Sequence, residues 1–398
     1  MTSTRSAPVI RALAALLLLP ASFVAVSARS AQEAVSPDVR LAEQIAARQW
    51  IAAWETLERV PETPARLRMR VTVALGLDRV DAAVTAAGRL ERTDRAGARE
   101  ALGEIVREVG NRLRHDGDPD VRIPVCAALA GLGDRPCVTA LREAASGSSE
   151  RPAARLQAAL AAVDAGVPNA AGMVKEAARA AIETDPVSSA AAYEHADAAT
   201  AVPSLIGLLG SEQRDAQYVA AYALGEFRTP EARQALQHYL KSDETTGGRR
   251  QAATIALARL GDRDALAAVR EMVPKLGGRD LLEAARALDA ARDPRALAIL
   301  RQVLTGDHDL LRYEAAVLIG SRDADAVRRT LTTGLTSRNP WTRIAALTAF
   351  RRLGWDVPLE GRLLLADAAP HVAAAAVAAV SRRLAAPPPR AAAEPHGA

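Results

Sequence analysis

Aromatic, cysteine, histidine and lysine residues are all scarce in this chain, and each scarcity excludes something. Aromatics make up 3% of the 398 residues, too few for a groove that stacks nucleic-acid bases. Two cysteines, Cys126 and Cys137, cannot supply the disulfide framework of a small secreted scaffold. Of 51 basic residues only Lys175, Lys241 and Lys275 are lysine, so guanidinium groups carry the positive charge. Gly-rich phosphate loops, a nucleophile elbow and metalloprotease motifs are absent from the sequence. Almost no strand-like alternation of apolar and polar residues occurs.

Small and aliphatic residues are abundant, with 49% of the chain hydrophobic, so the interior is predicted to be close-packed helices of Ala, Leu, Val and Ile. These residues form a repeat. The stretch from Leu311 to Gly320 states it: an apolar residue and an arginine, a pair of small residues, then a large apolar anchor. Anchors fall at Leu129, Ala162, Tyr193, Leu224, Leu257, Leu288, Ile319 and Phe350, at intervals of 33, 31, 31, 33, 31, 31 and 31 residues. A period of that size indicates a solenoid in which each repeat lends half a core to its neighbours. The predicted fold class is all-α, a right-handed α-α superhelix of helical hairpins forming one elongated body.

Other columns of the repeat carry their own expectations. Small pairs at Ala158/Ala159, Ala220/Ala221, Ala284/Ala285 and Ala315/Ala316 let neighbouring helices approach. Six before the anchor stand Ile123, Leu156, Val187, Tyr218, Leu282, Tyr313 and Ile344, with Gln251 the single departure; this is a core column, so Tyr218 and Tyr313 are expected to be buried. Seven before it come Arg122, Arg155, Arg250, Arg312 and Arg343, while Asp134, Asp262 and Asp323 occupy turns. Asp118-Pro119, Asp185-Pro186 and Asn339-Pro340 read as N-caps followed by proline at the first helix of a repeat, and Thr229-Pro230 and Asp293-Pro294 do so at the second.

This pattern resembles HEAT-repeat proteins, specifically the short HEAT-like repeats of phycobilin lyase subunits. Val121-Arg122, Ala128-Leu129, Leu132-Gly133-Asp134 and, later, Ala256-Leu257, Leu260-Gly261-Asp262 and Ala265 carry the resemblance. It implies a ladder of Arg and Asp between successive repeats, with no rung where Pro186, Gln217 and Leu281 replace the arginine. It also admits an enzymatic alternative, a lyase or other enzyme subunit. None of His115, His195, His238, His308, His371 and His396 stands in the His-Glu pair that resemblance to HEAT-repeat iron hydroxylases would require, and no two have metal-binding helical spacing. No catalytic, cofactor or metal residues are assigned on this reading.

Before the repeats, residues 34–115 are helical but out of register. Ala74-Leu75-Gly76-Leu77-Asp78 within this region resembles the tetratricopeptide repeat. Trp50 and Trp54 share a helical face there, read either as packing within the first hairpin or as an aromatic contact at the end of the solenoid. Residues 1–28 read as an export signal: Arg5 and Arg11, an apolar core from Ala12 to Val26, then Val26-Ser27-Ala28 before the cut. Cleavage there would remove two arginines and no acid, lowering the formal charge from +4 to 4 − 2 = +2, which gives no electrostatic reason to bind nucleic acid. The expected location is periplasmic or extracellular, and an uncleaved signal anchor would be the one route to a membrane. The repeat solenoid is expected over 116–384 and a disordered tail over 385–398.

Cys126 and Cys137 are offset by about four residues across a hairpin, roughly 6 Å of rise. With interaxial spacing of roughly 8 to 10 Å, their Cα atoms fall outside usual disulfide reach, so they read as small buried hydrophobes, with a bridge, which export would favour, as the alternative. The function expected is an exported monomeric scaffold that binds a protein or peptide, with a self-associating envelope protein as a further alternative. Tyr222 and Arg286, which break an apolar column two before the anchor, together with His238 and Tyr239, are the candidate contact residues.

Overall fold

The computed structural model describes residues 36–147, 150–182, 189–190, 193 and 197–385. The expected export signal, the expected Asp185-Pro186 cap and the tail beyond Ala385 lie outside them. Among the described residues there are helices and turns and no strand. The leading segment comprises α1 (Pro37–Ala46), α2 (Trp50–Arg59), α3 (Pro64–Gly76), α4 (Val80–Leu90) and α5 (Arg95–Leu113). The repeats follow as α6 (Pro119–Gly131) with α7 (Arg135–Ser146), α8 (Pro152–Asp164) with α9 (Ala170–Ala181), then α10 (Ala198–Leu209). Next come α11 (Arg214–Leu224) with α12 (Pro230–Lys241), α13 (Gly247–Arg259) with α14 (Arg263–Met272), and α15 (Gly278–Ala290) with α16 (Arg295–Thr305). The array ends with α17 (Asp309–Ile319) and α18 (Ala324–Leu335), α19 (Pro340–Leu353) and the short α20 (Leu359–Arg362), and α21 (Pro370–Ala385).

Local chemistry sets the helix starts. The Asp118 carboxylate accepts from the Asp120 amide at 2.9 Å, Asn339 from the Trp341 amide at 3.0 Å, and Thr229 from the Ala232 amide at 3.2 Å, each supplying an acceptor to a helix start that lacks one. All eight anchors are buried, as are all four small pairs. First helices stack on first helices, α11 on α13, α13 on α15, α15 on α17, α17 on α19 and α19 on α21, and the alanine pairs lie in these helices. Tyr313 is buried as expected, whereas Tyr218 is half-buried with its hydroxyl turned to a carboxylate. Cys126 and Cys137 are buried free thiols, hydrogen-bonded to each other.

The Arg and Asp columns do separate work. Arg122, Arg250, Arg312 and Arg343 each donate to a backbone carbonyl of the loop before their own helix, on Asp116, Thr245, Gly306 and Ser337 respectively. Turn aspartates pair instead with arginines on the preceding outer helix: Asp134 with Arg114 at 3.3 Å, Asp293 with Arg270 at 2.9 Å and Asp323 with Arg301 at 2.7 Å. Gln217, expected to leave its rung empty, fills it, because its amide donates to the Ser211 carbonyl at 2.6 Å as an arginine would.

The elongated body expected from the repeat is corrected by the way the array ends. Helix α21 has no second helix after it among the described residues, and it packs on α6 of the first repeat and on α5 of the leading segment. In that place α5 touches α21 and α6 together, as an outer helix touches its own repeat and the next. The N-terminal segment thereby completes the C-terminal repeat. A Cβ on Gly110 would lie 2.9 Å from Leu129, so any side chain there would have to displace the buried Leu129 where α5 meets α6. Arg99 donates to the Leu384 carbonyl at 2.7 Å, and Arg362 pairs with Glu91 at 2.6 Å. Arg351 at the end of α19 reaches Asp164 at the end of α8 at 2.8 Å.

At the far end of the leading segment, Gly76 admits the Trp50 ring, which a Cβ would meet at 2.5 Å. The Arg70 and Arg79 guanidiniums lie over Trp54 at 5.5 and 5.1 Å. Both tryptophans are engaged in packing.

Candidate functional site

Three of the four residues proposed from sequence, Tyr222, Arg286 and Tyr239, spend their polar groups on neighbours outside the candidate set. Tyr222 is only 5% exposed. Its hydroxyl donates to Asp280 Oδ1 at 2.6 Å, and Tyr218, whose ring meets it edge-on at 5.0 Å, donates to the same oxygen at 2.6 Å. Asp280 lies in α15, two repeats on from the tyrosines in α11, so this arc curves enough to bring alternate repeats into contact. Burial, reinforced by the Asp280 carboxylate, pushes both phenols well above their ordinary range.

Arg286 joins a second part of the same arc. It pairs with Glu226 at 3.0 Å and with Glu283 at 3.1 Å. Arg259 bridges the same two acids, in contact with Glu226 and 3.7 Å from Glu283. Glu283 is 1% exposed, and burial pulls the Arg259 guanidinium below its usual range, with the neighbouring Arg286 adding to the effect. Two acids and two arginines therefore neutralise each other inside the arc. Tyr239 is half-buried and donates to Gln217 at 2.9 Å, while His238 is exposed on the outer helix α12. Of the four candidates only His238 is open to solvent.

A different surface is open. Leu310 and Trp341 are each 64% exposed. They stand 31 residues apart, one repeat interval, in the first turns of the neighbouring helices α17 and α19. Beyond Trp341 the His371 ring of α21 lies 6.2 Å away, tilted by 53°. His371 Nε2 is 3.2 Å from Asp118 Oδ2 of α6, so this rim crosses the seam between the last helix and the first repeat. Asp120 completes a cluster whose ligand atoms all lie within 4.8 Å of one another. Asp118 and His371 are half-buried and Asp120 is exposed.

Sequence reasoning missed both features for different reasons. Nine before the anchor the column runs Asp120, Asp215, Gly248, Arg279, Leu310 and Trp341 in six of the repeats, and two large apolar side chains in a polar column were a legible signal. The triad had none, since Asp118 and His371 are 253 residues apart, by 371 − 118, and meet only because the array closes.

Comparison with known proteins bears on the fold. Residues 187–258 and 202–275 match the HEAT repeats family. None of the curated proteins matches the chain in sequence. Among solved structures, human deoxyhypusine hydroxylase in complex with glycerol is similar at 20% identity and a TM-score of 0.36, over 64% of this chain and 97% of that one. Among the described residues no helix is long and apolar enough to cross a membrane.

Proposed function

We propose that this helical-repeat chain, whose residues 187–258 and 202–275 match the HEAT repeats family, is an exported scaffold that holds a protein or peptide partner on the rim formed by the first turns of α17 and α19, without catalysis of its own. The observation that carries this reading is the exposure of Leu310 and Trp341 at one register of successive repeats. Neither is engaged in the core, and large apolar or aromatic groups left in water are the residues that anchor interfaces. Export is inferred from the basic residues, apolar core and small residues at positions 5–28, and places the partner in the periplasm or outside the cell.

The test has two stages. Capture from the exported fraction identifies a partner, and its affinity is then measured for the wild type and for a chain carrying Leu310→Ala and Trp341→Ala. The double variant is expected to bind at least tenfold more weakly, about 1.4 kcal/mol, with helicity unchanged. Equal affinity would remove the rim from consideration. N-terminal sequencing of the same material should begin at or near Arg29, and an intact Met1 form held in the membrane would overturn the location.

A further inference from the structure

We propose that Asp118, Asp120 and His371 form a binding site for a divalent cation of the zinc class, placed across the seam between the first repeat and the last helix. The donor set is one imidazole and two carboxylates, which suits zinc and its first-row neighbours better than calcium or magnesium, whose sites are built of oxygen alone. Zinc holds such ligands at roughly 2.0 to 2.2 Å. Ligand atoms already within 4.8 Å of one another need only small side-chain rotations to converge on a common point.

The arrangement is held before any metal arrives. Asp118 Oδ1 is occupied as the cap of α6, accepting from the Asp120 amide at 2.9 Å, and the Asp118 amide donates to Asp116 Oδ1 at 2.8 Å. That fixes the carboxylate and leaves Oδ2 facing His371. Trp341 packs beside the imidazole, limiting its rotation.

Some aspartates of the repeats are matched with arginine, as Asp134, Asp293, Asp323 and Asp367 are, and others by neutral donors, as Asp197 is by Thr200 and Asp280 by two tyrosine hydroxyls. Asp118 and Asp120 have no arginine partner among the described residues. The nearby Arg122 is spent on the Asp116 and Gly117 carbonyls and on Glu150, and Arg343 on the Ser337 carbonyl and Asp367. The triad brings two carboxylates and one imidazole to a common point, a donor set that a dication satisfies. Bound there, the ion ties α6 to α21 and stabilises the closed array by mass action.

The experiment uses the metal alone, so its outcome is independent of the partner-binding reading. Metal-free protein is titrated with zinc chloride by calorimetry, for the wild type and for Asp118→Asn, Asp120→Asn and His371→Gln. Asparagine at 118 keeps a cap acceptor, and Asp120→Asn changes an exposed side chain, so both variants should keep the metal-free unfolding midpoint. One zinc per chain is expected, with affinity at least tenfold weaker in each variant. Nickel should quench tryptophan fluorescence in the wild type, and Trp341→Phe should abolish that quenching. Absence of zinc uptake would overturn the proposal. So would uptake that survives Asp120→Asn and His371→Gln unchanged but disappears when Cys126 and Cys137 are replaced by serine.

Discussion

The arc from α11 to α15 and the arc from α17 across the seam to α6 are built from the same repeat, yet they treat their exceptional residues in opposite ways. In the first, Tyr218, Tyr222, Glu226, Arg259, Asp280, Glu283 and Arg286 are closed into hydrogen bonds and ion pairs with one another. In the second, Leu310 and Trp341 stand in solvent, and Asp118 and Asp120 have no arginine partner among the described residues. A residue that departs from the repeat rule is thus no guide to binding by itself. What decides is whether local curvature brings it a partner from two repeats away.

Four variants break or sharpen that contrast, and urea unfolding midpoints read all of them. Glu283→Ala should cost most, about 3 kcal/mol, because it leaves Arg259 and Arg286 to share Glu226 alone, with one positive charge unbalanced in a buried setting. A cost near zero would mean that the first arc is open after all. Ala285→Leu, at a fully buried position between stacked helices, should cost about 1 to 3 kcal/mol by overpacking, and an unchanged midpoint would disprove the register of that repeat.

Asp293→Asn should cost about 1 to 2 kcal/mol at neutral pH, the scale of hydrogen bonds to a charged group. Side-chain donation from Arg295, against the opposing effect of burial, holds the Asp293 carboxyl well below the usual range. A depressed folded-state pKa stabilises above the unfolded value, about 3.9, and that contribution is lost as pH falls through the folded value. The wild type should therefore lose stability below about pH 4, and the variant should lose less over the same window. An identical acid profile would refute this assignment. The double change of Leu310 and Trp341 to Ala should shift stability least, within about 0.5 kcal/mol. A larger loss would make the rim a packing surface and remove the contrast between the arcs.

The helical class, the register and the buried columns were legible because a repeat states the same packing rule eight times, and single deviations such as Gln251 among apolar residues do not hide it. Gln217 was misread because the column was treated as a charge position, whereas its work is to donate to a loop carbonyl, which an amide also does. The contact between Tyr222 and Asp280 could not be read, because periodicity reports which face a residue occupies and not how sharply the stack bends. Closure was hidden for a related reason. Nothing in α5 or α21 marks them as partners except small residues such as Gly110, whose purpose shows only against Leu129.

The insertion of α5 beside α21 alters how the chain comes to be folded. An open solenoid can assemble repeat by repeat as it leaves the ribosome and fray from either free end. Here a helix made early waits with one face unpartnered until the last helix is synthesised, since Arg99 and Leu384 stand 285 residues apart. Joining them is a single loop closure of high contact order, so the final step of maturation should be slow and should fail for any product truncated before Pro370. Once made, that junction ties the last helix of the array to its first repeat, so neither can melt without the other.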